Sequence, residues 1–250
     1  MTVYNENGVS ESDTGSIERI ASLARKYESN GDPACVSSGV GDVGGISYGL
    51  YQLSSNVGSV DEFVAWLTEY PKPEYANYGK LLSMNKVNSK EFIADWKNIG
   101  YVDPGGFGML QDEYIKEMYY EKASKMLCKE NYCADKHTDA MRAVILSRAV
   151  QNGVSGCVSA MKNAVSFIDK GENWNLSYVD DKAFDGDMIR AIYDFLIDEC
   201  DSATLHGDII CRSFYGFCKG SASVIYGLRS RFVREKADAL SMLGGANNDA

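Results

Sequence analysis

Helical periodicity over most of the chain is the strongest constraint on its fold. From residue 60 to residue 243 apolar side chains recur three or four positions apart, the spacing that places them on one face of an α-helix. Three of the four prolines, at positions 71, 73 and 104, fall between the periodic segments, where a proline does not break a helix. A first helix is predicted over 16–28. The later predicted helices are 60–69, 74–84, 89–98, 107–128, 138–151, 155–170, 186–200 and 221–243.

A glycine-rich segment interrupts this pattern after the first helix. Between residues 32 and 55 glycine occupies positions 39, 41, 44, 45 and 49, too often for a helix. Two short runs with strand character, 35–38 and 46–53, flank these glycines. We therefore predict a mainly α fold (α+β) with a small, irregular, glycine-rich β hairpin or loop after the first helix.

Nothing in the composition divides the chain into several domains. No linker rich in Pro, Gly or Ser and no internal repeat is present. We predict a single domain over 15–243, preceded by a flexible polar leader (1–14) and followed by a flexible tail (244–250).

The charge balance and the hydropathy exclude several classes of function. The chain has 35 acidic and 25 basic side chains, and its net charge of −10 repels nucleic-acid phosphates. No apolar stretch reaches the roughly 18 residues that would span a bilayer, and the first residues lack the basic and apolar segments of a secretion signal. We expect a soluble monomer that neither binds nucleic acid nor inserts into a membrane.

The seven cysteines do not form a recognisable framework. Their number is odd and their spacing irregular, so we expect reduced and mostly buried thiols, with no metal and no cofactor. A disulfide between Cys211 and Cys218 is the alternative if the protein works in an oxidising compartment. Two sets of side chains resemble zinc ligands but lack the paired short spacing of structural zinc sites. They are Cys200, His206, Cys211 and Cys218, and Cys128, Cys133 and His137 with one further ligand.

Glu28 lies on the apolar face of the first predicted helix. Positions 17, 20, 21, 24 and 28 share one face, so a carboxyl occupies a place where the pattern requires an apolar side chain. Burial disfavours an ionised carboxylate, which suits a general acid that must hold a proton near neutral pH. The alternative is a glutamate that turns outward at the helix end and pairs with a neighbour such as Arg25.

The residues around Glu28 resemble the goose-type lysozymes and lytic transglycosylases. The matching residues are Glu28-Ser29, Ala34, Ser37 and Gly49-Leu50-Tyr51-Gln52. The resemblance implies a lysozyme-like fold in which Glu28 protonates the glycosidic oxygen between N-acetylmuramic acid and N-acetylglucosamine. It also implies that the Gly-x-x-Gln segment lines the sugar cleft.

Three blocks of sequence are similar to the chitosanase-like muramidases of phage lysins and phage-derived cell-wall effectors. They are residues 37–49, 147–153 and 227–235, of which the first is the most specific. Asn152 departs from the histidine expected there, so no polar role is carried over to it. This resemblance implies a peptidoglycan hydrolase that is released from the host cytoplasm through a holin, or that is a virion or injected protein.

Asp42 is the candidate for a second catalytic carboxyl. It lies 14 residues beyond Glu28, and a hairpin that returned past the helix end would place it across a cleft, where it could orient a water for inverting attack. The alternative is a turn aspartate, as we expect for Asp32 before Pro33. A lytic transglycosylase needs only Glu28, because the 6-hydroxyl of the sugar itself attacks, and that outcome stays open.

The remaining candidates would bind the glycan strand of peptidoglycan, the predicted partner. Tyrosine rings supply flat surfaces for pyranose rings, and a glutamine amide both donates and accepts hydrogen bonds. The alternatives are a chitosanase, whose substrate is also a β-1,4 aminosugar polymer, and a non-catalytic wall-binding or structural module. The predicted substrate-binding residues are Ser37, Ser47, Tyr48, Gly49, Tyr51 and Gln52.

Overall fold

The computed structural model of the chain describes residues 11–28, 31–39, 45–169 and 171–245, and these are mainly helical, as predicted. Two short antiparallel hairpins accompany the helices: β1 (Ser47–Tyr48) pairs with β2 (Leu53–Ser54), and β3 (Thr204–Leu205) pairs with β4 (Asp208–Ile209). The helices are α1 (Glu11–Glu28), α2 (Ser59–Thr68), α3 (Pro73–Ser83), α4 (Lys90–Val102), α5 (Pro104–Ile115), α6 (Glu121–Lys129), α7 (Asp139–Ala164), α8 (Asp185–Ala203) and α9 (Ala222–Gly245). Among the described helices none combines the length and the apolar character needed to cross a membrane.

The helix predictions differ from the structure at one joint and agree with it at another. The helix predicted over 107–128 is divided, because a π-helical turn over Lys116–Tyr120 separates α5 from α6. The two helices predicted over 138–151 and 155–170 are confirmed, because the helical stretch α7 is interrupted at Gly153, whose φ of 72° and ψ of 164° are not helical. A glycine accepts this conformation without the clash that a Cβ atom would cause.

The predicted ends of the domain need small corrections. The predicted leader is too long, because residues 11–14 belong to α1. Residues 1–10 lie outside the described residues. Residues 244–245 complete α9, and the rest of the predicted tail also lies outside the described residues.

The chain divides into two compact units. The first comprises the residues up to Leu23 together with those from Tyr119 onward, and the second comprises Ala24–Met118, so α1 contributes to both. The single domain over 15–243 stays a prediction.

Trp96 of α4 is at the centre of the second unit. Its fully buried ring packs against Tyr48 of β1, Phe63 of α2 and Phe107 of α5, with ring centroids 5.2, 5.6 and 4.9 Å away. Its indole nitrogen donates a hydrogen bond of 3.1 Å to the carbonyl oxygen of Pro33. The same side chain therefore holds both the first hairpin and the loop that follows α1 against the helical core.

The first hairpin is shorter than the strand predicted over 46–53. Only Ser47 and Tyr48 pair with the returning strand, and Val36 forms an isolated bridge to Tyr48. The chain reverses between them, with φ 70° at Gly49 and φ 51° at Gln52. Because of this turn, residues 46–53 do not form the single strand that their sequence indicates.

A buried ion pair joins α7 to α9 in the first unit. The guanidinium of Arg148 lies over the rings of Tyr193 and Phe232, and its Nη2 donates to Glu235 Oε2 at 2.6 Å. Burial acts to raise the pKa of Glu235, but the charges of Arg148 and Arg231 outweigh it and hold this pKa below the usual value of a glutamate. The sequence blocks 147–153 and 227–235 thus meet in one buried contact.

Replacing Glu235 should destabilise the fold strongly. Glu235→Gln leaves the buried guanidinium of Arg148 without a counter-charge, and we expect it to lower the free energy of unfolding by about 3–5 kcal/mol. Asp201→Asn is the matched control, because it breaks the exposed pair of Asp201 with Arg229 and should cost at most about 1 kcal/mol. Urea denaturation at neutral pH measures both, and equal losses would contradict the prediction.

Acid should weaken the same contact. Because the pKa of Glu235 is lower in the folded chain than in the unfolded chain, its contribution is complete above the unfolded value and is lost as the pH falls through the folded value. The difference in unfolding free energy between the unaltered chain and Glu235→Gln should therefore shrink in that acidic range. A difference that stays constant with pH would show that the carboxylate charge is not what Arg148 requires.

Candidate functional site

Glu28 is the last residue of α1 and is neither buried nor fully exposed. The residues predicted to share its face, Ile17, Ile20, Ala21 and Ala24, are all buried. The carboxyl therefore lies at the end of an apolar stripe, as the periodicity predicts. Its role as a general acid stays a prediction.

A shielded ion pair ties the last turn of α1 to α5. Arg25 Nε donates to Asp112 Oδ1 at 2.8 Å, the guanidinium also contacts Oδ2, and only 4% of the Asp112 side chain is exposed. The hydroxyl of Tyr51 donates to the same Oδ1 at 2.6 Å. Because Arg25 precedes Glu28 by one helical turn, this cluster fixes the end of α1 to the turn of the first hairpin. The charged partner of Arg25 is therefore Asp112.

Tyr51 acts in this cluster as a neutral hydrogen-bond donor. Burial raises the pKa of its phenol to about 12, although the charge of Arg25 opposes the rise. The hydroxyl therefore keeps its proton, and its bond to Asp112, throughout the physiological range.

Gln111 precedes Asp112 in α5 and holds the neighbouring backbone. Its buried side-chain amide accepts from Leu50 N at 2.7 Å and donates to the carbonyl oxygen of Pro33 at 3.1 Å. A Cβ atom at Gly49 would collide with Gln111 Oε1, so the close approach at Gly49 is made by a protein side chain.

The rings of Tyr48 and Tyr51 are both buried, which leaves no face for a pyranose ring. Tyr48 packs edge-on against Phe92 and Trp96, and its hydroxyl donates to Asn88 Oδ1 at 3.0 Å. The prediction that these rings stack on sugars is therefore wrong. An aromatic ring suits a protein core as well as it suits a sugar, and the sequence pattern does not distinguish the two.

Ser37 and Ser47 join the loop after α1 to the first hairpin. Ser47 N donates to Ser37 Oγ at 2.8 Å, and Ser37 N donates to the carbonyl oxygen of Ser47, also at 2.8 Å. Ser47 is buried, whereas Ser37 is partly exposed. Both serines thus have a structural role, because their hydrogen bonds join the loop after α1 to the hairpin.

Gln52 is the predicted substrate-binding residue whose geometry best suits a sugar. Its side chain is partly exposed, and its amide nitrogen donates to the carbonyl oxygen of Gly49 at 3.1 Å and to Cys35 Sγ at 3.7 Å. Within the described ranges its Oε1 has no protein donor. This oxygen can accept a hydrogen bond from a sugar hydroxyl or an acetamide N–H.

The second predicted carboxyl, Asp42, lies outside the described residues. Asp32 is a turn residue, as predicted, because its Oδ1 accepts from Ala34 N at 2.9 Å. Asp112, which lies beside the end of α1, is engaged by Arg25 and Tyr51.

No group of three His, Cys, Asp or Glu side chains suited to a metal is found among the described residues. His137 directs Nδ1 to Asp185 at 2.5 Å and Nε2 to Asp180 at 3.3 Å. Both of its nitrogens are thus occupied, so it is not available as a zinc ligand beside Cys128 and Cys133.

The prediction of mostly buried thiols is wrong. Of the six cysteines whose side chains are described, Cys157 and Cys200 are buried and the other four are exposed or partly exposed. The side chain of Cys218 lies outside the described part, and with it the proposed Cys211–Cys218 disulfide and the first of the two zinc sets.

The anchoring residues Gln111 and Asp112 were not predicted from the sequence. The signal available was their position: these adjacent polar residues are flanked by Leu110 and Tyr114, which are both buried. Buried polar side chains require partners, so such a pair indicates an anchoring point.

Substitution of Gly49 should test the close approach to Gln111. We expect Gly49→Ala to cost about 2–4 kcal/mol, because it combines the strain of a positive φ with the collision at Gln111. The matched control is Gly58→Ala, which has φ 87° but open space around its Cβ, and should cost about 1–2 kcal/mol. Thermal or urea denaturation measures both, and equal costs would contradict the assignment.

The anchoring role of Tyr51 can be measured by a double-mutant cycle with Asp112. Tyr51→Phe removes a donor to a buried carboxylate and should cost about 1–3 kcal/mol, and clearly less in an Asp112→Asn background. Tyr48→Phe is the control: its hydroxyl bonds Asn88 instead, so its cost should be the same in both backgrounds. Additive effects of Tyr51→Phe and Asp112→Asn would contradict the predicted coupling.

Comparison with known proteins identifies a family through more than half of the chain. A family model described as Type VI secretion system spike protein VgrG3-like, C-terminal, matches residues 20–208. The Type VI secretion system spike protein VgrG3 of Vibrio cholerae serotype O1 is 30% identical over 146 residues, which are 58% of this chain and 14% of that protein. This chain thus spans a small part of the length of its curated relative.

These matches correct the resemblance drawn from the sequence. The family is neither that of the goose-type lysozymes and lytic transglycosylases nor that of the phage muramidases. The earlier resemblance depended on short motifs around Glu28 and Gly49–Gln52, which involve too few residues to separate one family from another. The chain belongs to the family of Type VI secretion system spike protein VgrG3-like C-terminal domains.

Proposed function

We propose that this domain cleaves the β-1,4 bond between N-acetylmuramic acid and N-acetylglucosamine in peptidoglycan, with Glu28 as the general acid. The observation that carries the proposal is the position of Glu28, a partly buried carboxyl at the end of an apolar helix face. The neighbouring charge of Arg25 is matched by the buried carboxylate of Asp112. A carboxyl in such a place can hold a proton and deliver it.

The reaction would begin when Glu28 protonates the glycosidic oxygen. As the bond breaks, positive charge develops on the anomeric carbon, and a nucleophile attacks it. Gln52, with its available Oε1, would orient the sugar through a hydroxyl or acetamide group. The cluster of Arg25, Asp112 and Tyr51 would act as positioning residues, because it holds the end of α1 beside the hairpin turn.

The nucleophile separates two versions of this function. Hydrolysis uses a water, which Asp42 would orient, and yields a reducing end. A transglycosylase uses the sugar's own 6-hydroxyl and yields a 1,6-anhydro end, with no second carboxyl. A chitosanase would act on a related aminosugar polymer, and a non-catalytic wall-binding module would release no product.

The family supplies a setting for this activity. The curated relative is a spike protein of a type VI secretion system, and we propose that this domain is carried as part of such a spike to the cell wall. This replaces the expected release of a phage endolysin through a holin. The expectation of a monomer does not extend to the full spike protein, which we propose is one component of a larger apparatus.

Glu28→Gln should abolish the cleavage of purified peptidoglycan without unfolding the chain. The amide is nearly isosteric with the carboxyl but cannot donate the acidic proton, so we expect the rate to fall by at least about 100-fold. Glu18→Gln is the matched control, since Glu18 is an exposed residue of the same helix and should leave the rate unchanged. Turbidity clearing of purified walls measures the rate, and circular dichroism checks the fold; undiminished clearing by a folded Glu28→Gln variant would refute the role of Glu28.

Mass spectrometry of the released fragments then identifies the reaction. Reducing ends indicate hydrolysis and 1,6-anhydro ends indicate transglycosylation. Cleavage of chitosan instead of peptidoglycan would assign the alternative substrate. No release from either polymer by the unaltered chain would overturn the catalytic proposal in favour of a binding module.

A further inference from the structure

Two thiols lie side by side at the surface of the first unit. Cys128, in the last turn of α6, and Cys133, just beyond that helix, have their sulfur atoms 3.5 Å apart. Cys128 is exposed and Cys133 is partly exposed, so small reagents can reach the pair. Neither residue belongs to the second unit, which contains Glu28.

The backbone between the two cysteines brings the sulfurs together without a covalent link. Tyr132 N donates to the carbonyl oxygen of Leu127 at 3.0 Å, and Asn131 N donates to that of Cys128 at 3.1 Å. Asn131 has φ 62°, and together these features form the Schellman motif that ends many helices. The turn is thus already closed, and the sulfurs would have to approach from 3.5 Å to the roughly 2.05 Å of a disulfide bond.

The residues beyond the turn are also firmly held. Cys133 N donates to Asp180 Oδ1 at 2.6 Å, and Lys136 Nζ contacts Asp180 Oδ2 at 2.5 Å. The ring of Tyr132 stacks on that of His137, with centroids 4.1 Å apart. A link at Cys133 would therefore join the end of α6 to a segment that is packed in place.

We propose that Cys128 and Cys133 are a redox pair that closes to a disulfide when the domain meets a small-molecule disulfide such as oxidised glutathione. One cysteine thiolate attacks the reagent, forms a mixed disulfide and releases one glutathione thiol. The second cysteine, as a thiolate, then attacks the cysteine sulfur of the mixed disulfide, which forms the bond between the two cysteines and releases the second glutathione as a thiol. In total two cysteine thiols are oxidised, one glutathione disulfide is reduced to two thiols, and no other reactant is needed.

The order of the two attacks follows from exposure and protonation. The hydrogen bond with Cys128, together with burial, raises the pKa of Cys133 above the usual value of a thiol, which favours its protonated form. Cys128 is the more exposed sulfur, and it would meet the oxidant first. Cys133, held beside it by the turn, would resolve the mixed disulfide.

The pair suits a protein that passes between compartments. Thiols stay reduced in the cytosol, whereas the compartment that contains a bacterial cell wall is oxidising. The bond would form only after delivery and would reinforce the domain there. The chemistry itself does not depend on whether Glu28 is catalytic.

Peptide mapping tests the bond directly on the full chain. After exposure to oxidised glutathione and alkylation of free thiols, trypsin cleaves at Lys129 between the two cysteines, which leaves Met126–Lys129 linked to Glu130–Lys136. We expect this linked pair, 2 Da lighter than the sum of its two reduced peptides. Full alkylation of both cysteines, or glutathione retained on Cys128, would overturn the proposal.

Matched variants separate this pair from the other cysteines. The unaltered chain should melt about 2–6 °C higher in oxidised than in reduced glutathione. Cys128→Ser and Cys133→Ser should lose this shift, while Cys35→Ser, which removes a partly exposed thiol of the second unit, should retain it. A shift that persists in Cys128→Ser would assign the effect to other thiols and refute the proposal, whatever the activity of Glu28.

Discussion

Two adjacent side chains of α5, Gln111 and Asp112, hold the end of α1 and the turn of the first hairpin in place within the second unit. Asp112 binds Arg25 from α1 and Tyr51 from the hairpin turn, and Gln111 binds the backbone of Leu50 and Pro33. Buried polar groups are costly unless they are bonded, so each of these contacts constrains all the others. The short hairpin, with two paired residues in each strand, would not be stable alone. The position of Glu28 relative to the hairpin turn therefore depends on α5 more than on the hairpin itself.

The sequence predicted the helices well because their apolar periodicity is a local signal. Core residues such as Ile20, Phe63 and Trp96 each belong to a set of apolar residues that repeats at helical spacing within its own helix. The burial of each residue follows from that spacing. The hairpin was predicted less well, because the strand character of residues 46–53 does not distinguish one strand from two short strands joined by a turn. The positive φ of Gln52 was the decisive local feature, and glutamine gives no signal for it.

In the candidate site, too, the sequence did not predict contacts between residues that are far apart in the chain. Glu28 was identifiable because it interrupts the apolar face of its own helix. Asp112 could be interpreted only together with Arg25, a partner 87 residues away, and the buried pair of Arg148 and Glu235 is separated by the same interval. A charge within a helical stripe indicates that a partner exists, but its identity depends on tertiary packing. Local patterns therefore predicted where polar groups would be unusual, and the structure was needed to pair them.

Asp112 also narrows the chemistry available beside Glu28. Its Oδ1 accepts from both Arg25 and Tyr51, and its Oδ2 contacts the same guanidinium. Both oxygens of this carboxylate are therefore occupied by protein donors. Asp112 thus cannot orient a nucleophilic water, and hydrolysis would require another carboxyl, for which Asp42 is the candidate, whereas attack by the sugar's own 6-hydroxyl would require none. If the proposed function is correct, the chemical form of the released sugar end would distinguish attack by water from attack by the 6-hydroxyl.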